Sequence, residues 1–364
     1  MSPNGVLSFV VCATSLIVYY NSCQCGFVFD DISAIKENRD LRPHTPIQNL
    51  FVNDFWGTPM HKEQSHKSYR PLFTYFTFKF CSKHFLNRLL FLFQVTGVVG
   101  RAETLSSVFF LSAFIFYTKA AKRKKSTGWK SLCLCLVCKA TAMLCKEQGI
   151  TVTGICAVYE LFVVQKIRLS DLQLFGQWAL NGKIPLHHSW PVEATKRLAT
   201  IIASTICLLL ARLHIMGAKL PVFTRFDNPA SVTSWPTRQL SYNYLMTVNL
   251  QLLFFPCDLC CDWTMGTVPL VESFADRRNL VTLQEMFHCC CDIYFPFIGI
   301  NVFINYDGHN TITVGLAFLV LPFLPASNLF FPVGFVIAER VLYMPSMGFC
   351  LLVGCGFGFL LEKG

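Results

Sequence analysis

Long apolar runs separated by short polar or basic segments dominate this chain. Several runs lie near or below the lower limit of about 17 residues for a simple membrane span, and tilt and flanking aromatic anchors can extend such runs. We therefore predict an all-α polytopic membrane protein. The predicted spans are Val6–Tyr20, Thr104–Thr118, Leu132–Leu144, Ile150–Val164, Leu198–Met216, Thr311–Leu324 and Met347–Leu361.

Three weaker apolar runs are short enough to be interfacial or re-entrant segments: Phe85–Gln94, Tyr244–Phe255 and Tyr294–Ile304. The first run of the chain could instead be a signal peptide. No Lys or Arg precedes Val6, so the basic segment that opens a signal peptide is missing. We therefore expect an uncleaved first span.

The composition supports a membrane protein. Hydrophobic residues make up 53% of the 364 residues and charged residues only 14%, whereas soluble domains carry about 25% charged residues. The formal net charge is +10. The basic residues are clustered between apolar runs, as the positive-inside rule describes, and do not alternate with aromatic residues as on a nucleic-acid surface. We expect no nucleic-acid partner.

The basic clusters orient the predicted spans. Lys119 to Lys130 is strongly basic and belongs on the cytosolic side, which places the Lys146–Gly149 tip of the following hairpin in the lumen. The same reasoning divides the chain into five regions. They are a first span (1–25), a first luminal loop with an acidic pair (26–83), membrane helices (84–216), a luminal or interfacial segment (217–280), and membrane helices with a luminal loop (281–364).

Two adjacent carboxylates, Asp30 and Asp31, follow the first span. Neighbouring carboxylates repel each other, which can raise one pKa and favour a general base that takes a proton from a hydroxyl. An exposed acid pair that stabilises the first turn of a helix is the simpler interpretation on spacing alone. Both interpretations stay open at this point.

Three ionic pairs lie beside or within apolar sequence, namely Arg101 with Glu103, Lys146 with Glu147, and Glu339 with Arg340. Ionisable groups at membrane depth are costly and often functional, although ion pairs at helix ends are common. All three pairs fall on the predicted luminal side, where a cation could hold a phosphate. His66 and Arg70 lie in a polar and aromatic segment that could line a sugar or phosphate site, or form a solvated loop.

The cysteine pattern gives a weak metal signal. Cys257, Cys260 and Cys261 have the spacing of half a zinc site, and no second half at matching spacing is obvious, although Cys289–Cys291 follow. Ordinary thiols or a disulfide are the simpler interpretation. We expect no metal.

Several strings resemble the transmembrane and tetratricopeptide-repeat-containing family. The resemblance runs from about Gly26 to about Cys350. The strings are Phe29-Asp30-Asp31, residues 53–59 and 65–71, Val99-Gly100-Arg101-Ala102-Glu103, Cys145-Lys146-Glu147-Gln148-Gly149, residues 223–230 and 260–266, and Ala338-Glu339-Arg340-Val341-Leu342-Tyr343.

The resemblance implies the membrane domain of a GT-C type glycosyltransferase with luminal loops, in the endoplasmic reticulum membrane. Such an enzyme takes mannose from dolichyl-phosphate mannose and attaches it to Ser or Thr of secretory-pathway proteins, with cadherins as acceptors. It implies Asp30 as base, with Asp31 orienting either that base or the acceptor. Arg101, Lys146 and Arg340 would bind the donor phosphate. Glu103, Glu147, Glu339, His66 and Arg70 would support them, without a metal or other cofactor.

The chain also departs from the family pattern. Two membrane passes expected before Val95 have no counterpart, and we expect a product shortened by deletion that lacks the tetratricopeptide repeats. A non-catalytic luminal or membrane binding protein derived from the family is therefore the alternative function. A transporter or channel fits less well, because the sequence shows no paired halves.

Overall fold

The computed structural model describes residues 3–18, 20, 27, 30–62, 64–81, 99–123, 126–167, 192–217, 223–257, 259–260, 263, 266–284 and 309–363. Regular secondary structure in these ranges is helical, and isolated bridges pair Asn53 with Pro59 and Trp263 with Ile337. The predicted weak runs Phe85–Gln94 and Tyr294–Ile304 lie outside the described residues.

The helices follow the apolar runs closely. They are α1 (Pro3–Val18), α2 (Asn49–Val52), α3 (Pro71–Cys81), α4 (Arg101–Ala121), α5 (Trp129–Cys145), α6 (Glu147–Val164), α7 (Val192–Ile215), α8 (Thr237–Phe254), α9 (His309–Val320) and α10 (Tyr343–Lys363). Within α6, a 3-10 turn (Glu147–Thr151) precedes the α-helical part, and a π-helical turn (Tyr159–Val164) ends it.

Four described segments are long and apolar enough to cross a membrane: α4, α6, α7 and Glu339–Leu361, which comprises most of α10 and the turn before it. They cover four of the predicted spans and confirm an all-α, multi-pass membrane protein. The run Leu132–Leu144 lies within α5, and the first run overlaps the shorter apolar helix α1. The weak run Tyr244–Phe255 belongs to helix α8.

Charges at the helix ends match the helix dipole. Helix α4 has Glu103 in its first turn and Lys119 in its last, and α7 begins with Glu193 and ends with Arg212 and His214. Acids at the N-terminus and bases at the C-terminus stabilise a helix by interacting favourably with its dipole. These residues therefore mark where each helix begins and ends.

The chain divides into two compact units. Unit 1 contains residues 1–107, 141–147 and 211–222, and unit 2 contains residues 108–140, 148–210 and 223–364. The core of unit 1 joins residues of the 30–81 region to the start of α4. Its buried members are Ala34, Ile35, Leu41, Phe55, Phe73, Val99 and Ala102.

Unit 2 contains a buried ionic network. Glu160 lies in the π-helical turn of α6 and is 0% exposed. It accepts hydrogen bonds from Arg197 Nη2 at 2.6 Å, Arg197 Nε at 3.2 Å, Tyr117 Oη at 3.1 Å and Gln165 Nε2 at 2.9 Å. Tyr117 belongs to α4, Glu160 to α6 and Arg197 to α7. The network therefore connects three helices.

Unit 2 also buries a lysine on α5. Lys139 is 0% exposed, and its Nζ donates to Ile201 O at 3.0 Å, to Thr205 Oγ1 at 3.0 Å and to Ser204 Oγ. Three oxygen acceptors therefore match the three donors of the ammonium group. The carbonyl and the two hydroxyls all come from α7, so Lys139 fixes α7 against α5.

Helices α9 and α10 of unit 2 approach each other closely at a glycine. A methyl group on Gly348 would overlap the Leu319 backbone nitrogen and the Gly315 carbonyl oxygen. Backbone atoms cannot move aside as the end of a flexible side chain can. Small residues allow membrane helices to approach in this way.

We therefore expect Gly348→Ala to destabilise the protein by about 1–3 kcal/mol, the usual range for overpacking. The measurement is thermal unfolding of the detergent-solubilised chain. Gly354→Ala is the matched control, because nothing lies within 4 Å of a Cβ placed there. Equal stability of the two variants would contradict the close approach of α9 and α10.

Candidate functional site

The segment after α1 is organised around the carboxylate of Asp54, which is 3% exposed. This carboxylate accepts hydrogen bonds from the amides of Trp56 at 3.0 Å, Thr58 at 2.8 Å and His66 at 3.1 Å, and from Ser65 Oγ at 2.7 Å. The turn also needs Gly57, whose φ is +80°. Asp54 thus holds two stretches of the loop together and places His66 against the Trp56 ring, with ring centroids 4.8 Å apart.

The polar and aromatic segment that contains His66 and Arg70 is not a solvated loop. Ser65, Lys67 and Tyr69 are 4%, 5% and 7% exposed. Burial of the Lys67 ammonium is tolerated because its Nζ donates hydrogen bonds to the carbonyls of Met60 and Lys62. Burial raises the pKa of the Tyr69 hydroxyl. The simpler of the two sequence interpretations is therefore wrong, and the segment is part of a packed structure.

The acidic pair lies beside the start of α4. Asp31 is 1% exposed, and its Oδ1 accepts a hydrogen bond from the Val99 amide at 2.9 Å. Asp31 precedes the π-helical turn Ile32–Lys36 but its side chain does not cap that turn. The carboxylate instead holds the residues that lead into α4, whereas Asp30 is only half-buried.

A cluster of charges, here called the Glu147 cluster, forms at the start of α6. Glu147 accepts a hydrogen bond from Arg70 Nε at 3.1 Å, from Arg212 Nη2 at 3.1 Å and from Ser68 Oγ at 3.1 Å. Lys146, the residue before it, forms an ion pair with Glu103. Unit 1 thus contains three cations around two carboxylates, and we define the Glu147 cluster as these five charged residues.

The pairing differs from the sequence prediction. Lys146 forms an ion pair with Glu103 on α4, and Glu147 binds the two arginines Arg70 and Arg212. The physical reason is the break between α5 and α6. Lys146 directly follows the end of α5, while Glu147 opens the 3-10 turn of α6, so the two side chains belong to different helix ends.

The third predicted pair lies in unit 2. Glu339 accepts hydrogen bonds from the Cys260 amide at 2.7 Å and from Trp263 Nε1 at 2.9 Å. Arg340 follows it in the same 3-10 turn. The Glu339 carboxylate therefore anchors the segment around Trp263, beside the bridge between Trp263 and Ile337.

Only two of the cysteines considered for a zinc site belong to the described residues. Cys257 and Cys260 are exposed, and Cys261 and Cys289–Cys291 lie outside the described residues. Within the described ranges, no group of three or more His, Cys, Asp or Glu residues is arranged to hold a metal ion.

Eight of the ten predicted site residues lie in unit 1, while Glu339 and Arg340 lie in unit 2. Sequence reasoning missed Arg212 and Ser68, both of which contact Glu147. Arg212 is a single charge at the end of an apolar run, which was the available signal. Chemically, unit 1 offers a half-exposed carboxylate for proton transfer and basic groups suited to an anion.

Comparison with known proteins identifies relatives of this chain. Residues 217–290 match the family model "Protein O-mannosyl-transferase TMTC, DUF1736". The chain is 48% identical to Protein O-mannosyl-transferase TMTC3 of Mus musculus over 95% of this chain and 41% of that protein. It is 44% identical to Tmtc3 of Drosophila melanogaster over 97% of this chain and 46% of that protein.

A more distant relative is Protein O-mannosyl-transferase TMTC4 of Homo sapiens, with 36% identity over 98% of this chain and 57% of that protein. The chain thus spans about half the length of the curated relatives it matches. No solved structure matches it.

Proposed function

The chain belongs to the TMTC family of protein O-mannosyl-transferases, and we propose that it transfers mannose to Ser or Thr hydroxyls of secretory-pathway proteins. The proposed donor is dolichyl-phosphate mannose, the proposed acceptors are cadherin-type domains, and the proposed location is the lumenal face of the endoplasmic reticulum membrane. The membrane-spanning helices support a donor that is itself held in the bilayer.

One observation of the structure carries the proposal. The Asp30–Asp31 pair is held against the start of α4 by the bond from the Val99 amide to Asp31. Glu103, one turn into the same helix, is paired with Lys146. A carboxylate with access to solvent and a set of cations therefore occur in the same unit. Transfer of a sugar from a phosphate to a hydroxyl needs these two kinds of group.

In the proposed reaction, the Asp30 carboxylate accepts the proton of the acceptor hydroxyl. The hydroxyl oxygen forms a bond to C1 of mannose as the bond between C1 and the phosphate oxygen breaks. Both electrons of that bond leave with dolichyl phosphate, whose negative charge increases. Such a single displacement inverts the configuration at C1.

The proposed roles of the other residues follow from charge. Arg101 and Lys146, both in unit 1, would bind the phosphate and stabilise its added charge as the bond breaks. Asp31 would position Asp30, because its own carboxylate is buried and accepts the Val99 amide. Glu103 would fix the Lys146 ammonium through their ion pair.

The test is expression of this chain in cells that lack the family's activity, followed by mass spectrometry of mannose on a secreted cadherin domain. We expect mannose on Ser or Thr when the chain is present and none with the empty vector. In membranes from these cells, dolichyl-phosphate mannose should support transfer, whereas a nucleotide sugar should not when synthesis of the lipid donor is blocked.

Absence of mannose from an expressed, correctly folded chain would reject the catalytic proposal. Binding of the acceptor domain without transfer would support the alternative of a non-catalytic binding protein. Transfer from the nucleotide sugar alone would reject the proposed donor and leave the acceptor assignment intact.

A further inference from the structure

Arg212 is the least expected member of the Glu147 cluster. It lies in the last turn of α7, and its Nη2 donates to Glu147 Oε1 at 3.1 Å. Its other terminal nitrogen, Nη1, is buried and has no hydrogen-bond partner in the described part of the chain. Buried guanidinium nitrogens ordinarily have a hydrogen-bond partner, so a buried nitrogen without one needs an explanation.

Arg70 is held in a fixed orientation on the other side of Glu147. Its Nε donates to Glu147 Oε2 at 3.1 Å, and its Cζ lies 5.0 Å from the centre of the Phe55 ring. The ring contact and the bond to the carboxylate together fix the orientation of the Arg70 guanidinium. Its remaining donors, the two terminal nitrogens, are therefore presented in a defined direction.

The charge balance favours an anion at this position. The Glu147 cluster has three cations and two carboxylates, which leaves one positive charge in excess. Arg70 and Arg212 share the single carboxylate of Glu147, and their side chains are only 12% and 15% exposed. The Glu147 side chain is 28% exposed, so the cluster can be reached from outside.

We propose that Arg70 and Arg212, positioned by Glu147, bind a phosphate group carried by a polyprenyl lipid. This inference rests on the proposed function, since it adds Arg70 and Arg212 to the residues proposed for the donor phosphate. The guanidinium fork matches two oxygens of a phosphate, and Arg212 Nη1 supplies a buried donor with no other acceptor. Glu147 is a positioning residue that holds both arginines.

The position of Arg212 on α7 suits a ligand anchored in lipid. Helix α7 is apolar along most of its length, and only 6% of its membrane-spanning window is buried in the protein. A phosphate bound by the final turn of a helix that faces lipid leaves the attached hydrocarbon chain in the bilayer. A free phosphate offers the same charge but gains nothing from this hydrocarbon contact.

The test is binding of dolichyl phosphate to the purified full chain in nanodiscs, with inorganic phosphate as the competing source of the same chemistry. We expect dolichyl phosphate to raise the unfolding temperature of the unmutated chain and inorganic phosphate to raise it only at far higher concentration. Arg212→Gln should weaken dolichyl phosphate binding at least tenfold, and Arg212→Lys should restore it only in part, because lysine lacks the fork.

A second variant separates binding from folding. Glu147→Gln combined with Arg212→Gln removes one charge of each sign, so the net charge of the cluster is unchanged, and the side-chain oxygen of the new glutamine can still accept the hydrogen bond from Arg70 Nε. A purely structural Arg212 predicts that this double variant binds dolichyl phosphate normally, and that result would overturn the proposal. Continued weak binding supports it. Arg225→Gln, at an exposed arginine outside the cluster, is the control and should bind normally.

The result can be separated from the fate of the proposed function. Binding that depends on Arg212 in a chain that transfers no mannose would keep the phosphate site and reject the enzyme. Transfer by Arg212→Gln with an unchanged KM for the lipid donor would keep the enzyme and reject this site. Equal binding of inorganic phosphate and dolichyl phosphate would reject the lipid as the source.

Discussion

Replacing Glu160 with Gln should destabilise the protein by about 3–5 kcal/mol, the usual result of removing one partner of a buried ion pair. Glu160 is 0% exposed and Arg197 is 2% exposed. In Glu160→Gln, the Arg197 guanidinium keeps its charge in the interior of unit 2 and loses the carboxylate that balances it. The loss is larger than that of the hydrogen bonds themselves, because the desolvated charge stays behind.

The measurement is the unfolding temperature of the solubilised chain, followed by tryptophan fluorescence or circular dichroism. A double variant in which Glu160 and Arg197 are both replaced by Met should recover most of the stability, because paired replacement of buried ions by apolar residues is often neutral. Lys196→Gln is the control, since Lys196 forms an exposed pair with Glu193 on the same helix. It should change the unfolding temperature little.

An unfolding temperature for Glu160→Gln equal to that of Lys196→Gln would contradict the buried network. A double variant as unstable as Glu160→Gln alone would also count against it, because the defect would then not come from a stranded charge. A double-mutant cycle on the two residues gives their coupling free energy directly.

The membrane helices could be predicted from the sequence because apolar runs report burial in lipid or core. Helices α4, α6 and α7 each cover a predicted run, and the helix bounds extend the runs by including charged end residues such as Arg101 and Glu147. The predicted span Thr311–Leu324 extends four residues beyond the observed end of α9. The helix stops at Val320, shortly before Pro322, and the chain continues into the 3-10 turn Leu324–Ala326.

The packing of the loop between α1 and α4 could not be predicted in the same way. Helix α3 lies in the region 26–83, which was predicted from the sequence to be a luminal loop, although its own residues are mostly aromatic and apolar. Its neighbours are ordered by Asp54, whose four hydrogen bonds join residues up to 12 positions apart. Such contacts depend on chain reversal at Gly57 and leave no periodic trace in the sequence.

The sequence indicated which charged residues form ion pairs near the membrane, but it did not identify the partner of each residue. Adjacent opposite charges suggested that Lys146 binds Glu147, whereas the structure joins each to a residue distant in sequence. Single charges inside apolar runs were the better signal. Glu160, Lys139 and Arg212 each stand in or at the end of a predicted span, and each has partners on another segment because an unpaired charge at such depth is costly.

Asp30→Asn should lower kcat/KM for mannose transfer by about 10²–10⁴-fold, the usual contribution of general base catalysis. Asparagine has nearly the same shape but cannot accept the proton of the acceptor hydroxyl. Since Asp30 is half-buried and Asp31 holds the contact with Val99, the variant should fold normally. The KM for the lipid donor should change little, because the phosphate is assigned to cationic residues.

The measurement is transfer of labelled mannose to a cadherin domain by equal amounts of each variant. Glu37→Gln removes an exposed carboxylate from the same loop and serves as the control, with full activity expected. Full activity in Asp30→Asn together with loss in Asp31→Asn would assign the base to Asp31 instead. Glycosylation tags in residues 26–83 that stay unmodified, while other lumenal tags are modified, would place both carboxylates on the cytosolic side, where a lumenal acceptor cannot reach them.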